Sequence, residues 1–123
     1  MSKLGRHAYY FALAAEKVGP RNRRSSVHAA LGIRADGVLT FAANAATQLS
    51  KQAGVLQYRY AHAEYRLSRK LTKKSVVYVC RLRANGEYAM SRPCLSCRNA
   101  MKARGVTRCY YTISSTEYGV IEF

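Results

Sequence analysis

The sequence predicts an α/β domain built on one sheet of about five strands covered by three helices. Two observations carry that prediction. Segments of helical and strand character follow one another in the order helix, two strands, helix, strand, helix, strand, strand. The chain has 123 residues, 49% of them hydrophobic, which is material for one core and fits a single domain over residues 1–123. Internal repeats and low-complexity tracts are absent from the sequence. No apolar run approaches the roughly 20 residues that a bilayer span requires, so no membrane span is expected.

Taken in order, Leu4 to Val18 reads as an amphipathic helix with Phe11, Ala14, Ala15 and Val18 on one face, stopped by Gly19-Pro20. Val27 to Ile33 and Val38 to Ala43 read as strands joined by Arg34-Ala35-Asp36-Gly37, a hairpin signal. Residues 45–61 are ambiguous and read as a loop or short helix. The second helix runs from about His62 to Leu71, with Leu67 and Leu71 four apart on one face. Ser75 to Leu82 is β-branched and almost continuously apolar, as an inner strand would be. Asn85-Gly86 marks a turn in the loop that follows. Pro93 to Arg104 reads as the third helix, with Pro at its start and Gly105 at its end. Val106 to Thr112 and Tyr118 to Phe123 are the last two strands. The five residues between them are too few for a helix, so the pair is expected to form an antiparallel hairpin.

Lysine and arginine total 21 against six acids, a net charge of +15. Such an excess predicts attraction to polyanions and is indifferent to fold. Local groups stand at Arg21/Arg23/Arg24, Arg69/Lys70/Lys73/Lys74 and Arg98/Lys102/Arg104/Arg108. The four cysteines sit at 80, 94, 97 and 109, leaving the first 79 residues without any. A secreted disulfide scaffold spaces its cysteines through the chain, so reduced thiols and a cytoplasmic location are expected. The stretch Ala8 to Ala15 imitates a signal peptide loosely, but His7 and two tyrosines interrupt it.

Pro93-Cys94-Leu95-Ser96-Cys97 places two thiols three residues apart at the start of a helix. That spacing puts both on one face, where the positive helix end suits anionic sulfur. Alone, the pair fits a metal site or a redox couple. His62, about 30 residues upstream, could add an imidazole and complete a three-ligand zinc set with a fourth position open. His7, His28, Cys80 and Cys109 are further candidates. The two cysteines lie in predicted strands, where a buried apolar thiol is the simpler reading.

Together, His62-Ala63-Glu64 and Pro93-Cys94-Leu95-Ser96-Cys97 resemble the H-x-E and P-C-x-x-C signature of the zinc-dependent cytidine deaminase-like superfamily. The predicted order of elements is similar to the superfamily core over essentially the whole chain. The resemblance implies a three-layer α/β/α sandwich in which two helix N-termini meet at the metal. It implies one Zn²⁺ per chain, held by His62, Cys94 and Cys97, that would acidify a water molecule. It makes Glu64 the catalytic residue, taking the proton of that water and passing it to the ring nitrogen and the leaving amine.

Substrate contacts are expected from Asn44, at the end of the second strand, where similar deaminases place an Asn. Ala63, Arg92, Tyr110 and Tyr111 complete that expected set. Arg92 precedes the Pro-Cys pair and could reach a phosphate. Alternation sends the rings of Tyr110 and Tyr111 to opposite sheet faces, so one is expected to stack on a base while the other packs. The closing hairpin resembles the cytidine deaminase, plant RNA-editing and bacterial toxin branches, whereas nucleoside deaminases usually have Cys in place of His62. The loop from Arg83 to Arg92 is longer than in many relatives. The sequence therefore predicts a hydrolytic deaminase of a cytosine-type base, carried by a phosphorylated nucleotide or single-stranded nucleic acid. Adenine or guanine deamination is the alternative within the fold, and a catalytically idle zinc-stabilised nucleic-acid-binding module is the alternative outside enzymes. Relatives often assemble through their helices, so a homo-oligomer is among the expected states.

Overall fold

The computed structural model describes residues 4–18, 27–43, 67–83 and 85–123. Among them are two helices and six strands: α1 (His7–Val18), β1 (Val27–Ile33), β2 (Leu39–Ala43), β3 (Val76–Leu82), β4 (Tyr88–Ala89), α2 (Leu95–Arg104), β5 (Arg108–Thr112) and β6 (Tyr118–Glu122). The strands form a single mixed sheet in the order β2-β1-β3-β5-β6, with the short β4 also paired to β3. Strands β3 and β5 run parallel, with Val76 opposite Arg108 and Val79 opposite Tyr111. A parallel pair needs a crossover, and α2 supplies it. The other pairings are antiparallel, including the closing β5–β6 hairpin, where Arg108 faces Glu122 and Thr112 faces Tyr118.

Alternation along β3 divides the core into two apolar clusters, one on each face of the sheet. Tyr78 and Cys80 point to one face, where Leu4, Phe11 and Ala14 from the α1 region pack with Ala29 and Leu31 of β1. Val77 and Val79 point to the other, against Met101 of α2, Leu67, Leu71, Val106, Cys109 and Tyr111. β3 lies at the centre of the sheet and is buried from Val77 to Cys80, which explains its unbroken apolar run.

Several boundaries differ from the sequence reading. Helix α1 begins at His7 rather than Leu4. Residues 4–6 form a turn whose Leu4 side chain is buried against the α1 cluster. The expected loop after β3 contains a sixth strand: Arg83 and Glu87 bond across an Asn85-Gly86 turn and β4 folds back on β3. Two residues are too few to show a period, so the sequence carries no signal for β4. Pro93 does not start α2. Cys94 is its N-cap, in extended conformation at φ −71° and ψ 168°. The stop is as predicted, with Gly105 left-handed at φ 88° and its N–H reaching the carbonyls of Lys102 and Met101. Of the second predicted helix, only 67–68 is helical among the described residues, and Leu67 and Leu71 do share a buried face. The rest of that helix lies outside the described residues.

Candidate functional site

The candidate site lies at the carboxyl end of β3, where the chain crosses over through α2 to the parallel β5. What holds the incoming chain there is a pair of short buried side chains, Ser91 and Thr112. The Ser91 hydroxyl donates to the Val79 carbonyl at 2.9 Å and accepts the Thr112 N–H at 2.9 Å. Thr112 Oγ1 donates to the Ala89 carbonyl at 2.8 Å, and the Ser91 N–H donates to the Thr112 carbonyl at 2.9 Å. Both side chains are almost fully buried. Each satisfies backbone groups that the ends of β3, β4 and β5 leave open, and together they fix the start of the segment Arg92–Cys94. Neither residue stands out in the sequence, since a lone Ser and a lone Thr carry no pattern.

From that anchor the chain enters α2 at Cys94. The carbonyl of Cys94 accepts the N–H of Arg98 at 2.9 Å, the first helical bond. The N–H groups of the first turn have no acceptor within the helix, and no acidic residue stands there. Cys94 is exposed and Cys97 is buried, and their sulfur atoms lie 3.5 Å apart. That separation exceeds the S–S bond of about 2.05 Å by far. It is close to the roughly 3.8 Å expected between two sulfurs held at about 2.3 Å from a tetrahedral zinc ion. None of the four cysteines is in a disulfide. The donor set therefore fits a soft metal as far as it is described: two sulfurs, convergent, at the positive end of a helix. Among the described residues no group of three His, Cys, Asp or Glu side chains comes together. The expected third ligand, His62, lies outside the described residues, as do Asn44, Ala63 and Glu64.

Of the remaining expected residues, Arg92 and Tyr111 are brought together and Tyr110 is not among them. The Arg92 guanidinium carbon stands 5.9 Å from the centre of the Tyr111 ring, within cation–π range. The Tyr111 ring is nearly buried and lies over Gly119 of β6. A Cβ added at Gly119 would come within 2.3 Å of the Tyr111 ring carbon Cζ, so a residue without a side chain is needed beneath it. Arg92 itself is exposed. This places an exposed cation two residues before Cys94, over the face of the Tyr111 ring on the α2 side of the sheet.

Tyr110 belongs to the α1 face. It stacks on Tyr78 at 4.8 Å and on His7 at 4.3 Å between ring centres. His7 Nδ1 and the Tyr78 hydroxyl are 2.7 Å apart in a buried hydrogen bond. Burial, with Arg6 beside it, holds the His7 imidazole below its ordinary pKa. Burial, with Tyr110 and Tyr10 as neighbours, pushes the Tyr78 phenol up to about 12. His7 is thus a packed and bonded histidine, remote from the cysteine pair. Cys80 is fully buried on the same face, its thiol directed at the Phe11 carbonyl at 3.6 Å and pushed up to about 12 by burial. Cys109 is fully buried on the α2 face. His28 sits on β1 opposite Arg81. Neither strand cysteine is in the exposed setting of Cys94.

Compared with known proteins, the chain matches no protein-family model, no curated protein and no solved structure. No helix among the described residues is long and apolar enough to cross a membrane.

Proposed function

We propose that the chain is a zinc-dependent hydrolytic deaminase acting on a cytosine-type base that carries phosphate, with the three-layer fold of the cytidine deaminase-like proteins it resembles. The observation that carries this reading is the Cys94–Cys97 pair, convergent at 3.5 Å on the first turn of α2 and seated at the ends of parallel strands. His62, Cys94 and Cys97 would hold the ion. A bound zinc ion supplies Lewis acidity and an acidified water at neutral pH.

The residues of the chain do the rest. Glu64 takes one proton from water and delivers it to the ring nitrogen as the oxygen bonds to the amino-bearing ring carbon; it then carries the remaining hydroxyl proton to the amine, whose C–N bond breaks, so that a carbonyl and ammonia result. Arg92, exposed beside the pair, neutralises a phosphate of the substrate. Tyr111, pinned over Gly119, holds the Arg92 guanidinium in place from below. Asn44 and Ala63 complete the contacts to sugar or base. Tyr110 has no part in this reading, because its ring is committed to the stack on the α1 face.

Zinc-supplemented protein and a Glu64→Ala control are incubated with cytidine, its mono- and triphosphates in both sugars, adenine and guanine counterparts, and single-stranded DNA and RNA. Mass spectrometry reports which amine becomes a carbonyl, and elemental analysis reports zinc. A uracil-type product that disappears in Glu64→Ala, with about one zinc per chain in both proteins, is the expected result. A purine product would move the reading to adenine or guanine deamination. Stoichiometric zinc with no product from any substrate would replace the enzyme by a zinc-stabilised nucleic-acid-binding module.

A further inference from the structure

The basic residues of the loop before β3 and those at the end of α2 lie about 30 positions apart in sequence, yet the fold joins them. The Lys74 N–H donates to the Gly105 carbonyl at 2.8 Å, and the Thr107 N–H donates to the Ser75 carbonyl at 2.9 Å. A Cβ added at Gly105 would sit 2.9 Å from the Cα of Lys73, so the two turns are in backbone contact. Four exposed cations, Lys73, Lys74, Lys102 and Arg104, are thereby joined at one end of the sheet, with the exposed Arg69 and Lys70 preceding them in the loop. The only ion pairs among the described residues are Arg34–Asp36 and Arg108–Glu122, so no described carboxylate matches any of the six. Lys70 donates to the Phe41 carbonyl at 2.8 Å. Lys102 and Arg104 also face the negative end of the α2 dipole, which is equivalent to about half a charge and leaves most of the cluster unbalanced. Between Glu64 and Glu117 the sequence has twelve lysines and arginines and a single acid, Glu87.

We propose that this surface is a docking site for the phosphate backbone of a single-stranded nucleic acid. The proposal rests on the deaminase reading only for its purpose, which is to make the substrate a polynucleotide rather than a free nucleotide. Cys94 caps one end of α2 and the cluster surrounds the other. Ten helical residues span about 15 Å, or roughly four nucleotides at the 3.4 Å spacing of one strand of a duplex. The exposed residues between, Leu95, Ser96, Asn99, Lys102 and Ala103, include no acid. A strand laid along α2 therefore meets no repulsive charge on its way from the cluster to Arg92. A membrane surface is the poorer match, since Leu95 is the one large apolar side chain that α2 exposes and a single residue makes a small wedge.

The test uses full-length Glu64→Ala protein, so that binding is read without turnover, and labelled single strands of about 15 nucleotides in a salt titration. Two double variants change the net charge equally: Lys73→Glu/Lys102→Glu within the cluster, and Arg6→Glu/Lys17→Glu on the α1 side. The cluster variant is expected to lose at least about tenfold more affinity than the other and to lower the salt slope by roughly 1.4. Equal losses would overturn the proposal, showing that net charge alone attracts the strand. Binding to phosphatidylserine vesicles with none to the strands would overturn it as well, in favour of a membrane. A Lys73→Gln/Lys102→Gln variant guards against misfolding, with circular dichroism confirming its fold and an intermediate loss expected. Failure of turnover with cluster-dependent binding would sink the deaminase reading and leave the docking site. Turnover of mononucleotides without strand binding would do the reverse.

Discussion

The two faces of the sheet are built from different materials. Under α1 the packing is aromatic: Tyr78 is flanked by Tyr10 and Tyr110, edge-on to Phe11, and bonded through its hydroxyl to His7. The His7 ring nitrogen and the Tyr78 hydroxyl are spent on each other inside the fold. Under α2 the packing is aliphatic, with Val77, Val79, Met101 and Val106 at its centre, and the two ends of the helix differ in kind. One end carries two convergent thiols and the other a group of unmatched cations. The comparison between thiols makes the lesson concrete. Cys80, in mid-strand on the α1 face, is fully buried with its thiol pushed up to about 12, whereas Cys94 stands exposed at a helix cap. Chemistry is placed where an element ends and backbone groups lack partners, and residues in the middle of elements are consumed by packing.

The largest effect that would separate the faces is on metal and turnover. Cys97→Ser should remove zinc and lower turnover by more than the roughly 10–100-fold seen for changes in the outer shell of a metal site, while Cys80→Ala leaves the zinc content unchanged. Loss of zinc from both variants would erase the distinction. Next in size is stability on the α1 side. Phe11 is fully buried at the centre of that cluster, so Phe11→Ala should cost about 3–5 kcal/mol in urea unfolding and leave the zinc stoichiometry of the folded fraction intact. A smaller loss would mean that the aromatic stack closes over the gap.

A third change tests how the α2 end is anchored. Thr112→Val keeps the shape of the side chain and removes the donor to the Ala89 carbonyl, leaving buried partners unsatisfied. About 1–3 kcal/mol of stability should be lost, with a drop in turnover larger than that of any surface variant, because the segment carrying Arg92 and Cys94 starts from this bond. Unchanged turnover would show that Ser91 alone suffices. The smallest effect is on pH dependence. His7 titrates below 6.5 in the folded protein and near 6.5 when unfolded, so the unfolded chain binds the extra proton. Stability contributed by the neutral ring is complete above about pH 6.5 and is lost as pH falls toward the folded value. Unfolding curves between pH 5 and 8, taken for the natural protein and His7→Gln, should show a shallower decline for the variant. Identical slopes would assign the decline elsewhere.

Much of this was legible before any coordinates. The strand at Val76–Leu82 announced itself by composition, the stop of α2 by Gly105, and the β5–β6 hairpin by a connection too short for a helix. The spacing of Cys94 and Cys97 sufficed to put both on one helical face. Less legible were features made by contacts between distant segments. Tyr110 and Tyr111 look alike in sequence, and alternation predicts that they part; which of them meets Arg92 depends on which face α2 covers. Ser91 and Thr112 carry no motif, yet they hold the candidate site in place through bonds spanning 21 residues.

By itself, then, the sequence determined the local periods, the turns, the thiol pair and the sign of the charge, all of which follow from neighbours within a few residues. Tertiary structure alone decided the pairing of β3 with β5, the face on which each of Tyr110 and Tyr111 is buried, and the joining of two separate basic groups into one surface. The reason is physical: burial, register and the accumulation of like charge are set by segments that meet only after folding, and no local pattern specifies their meeting.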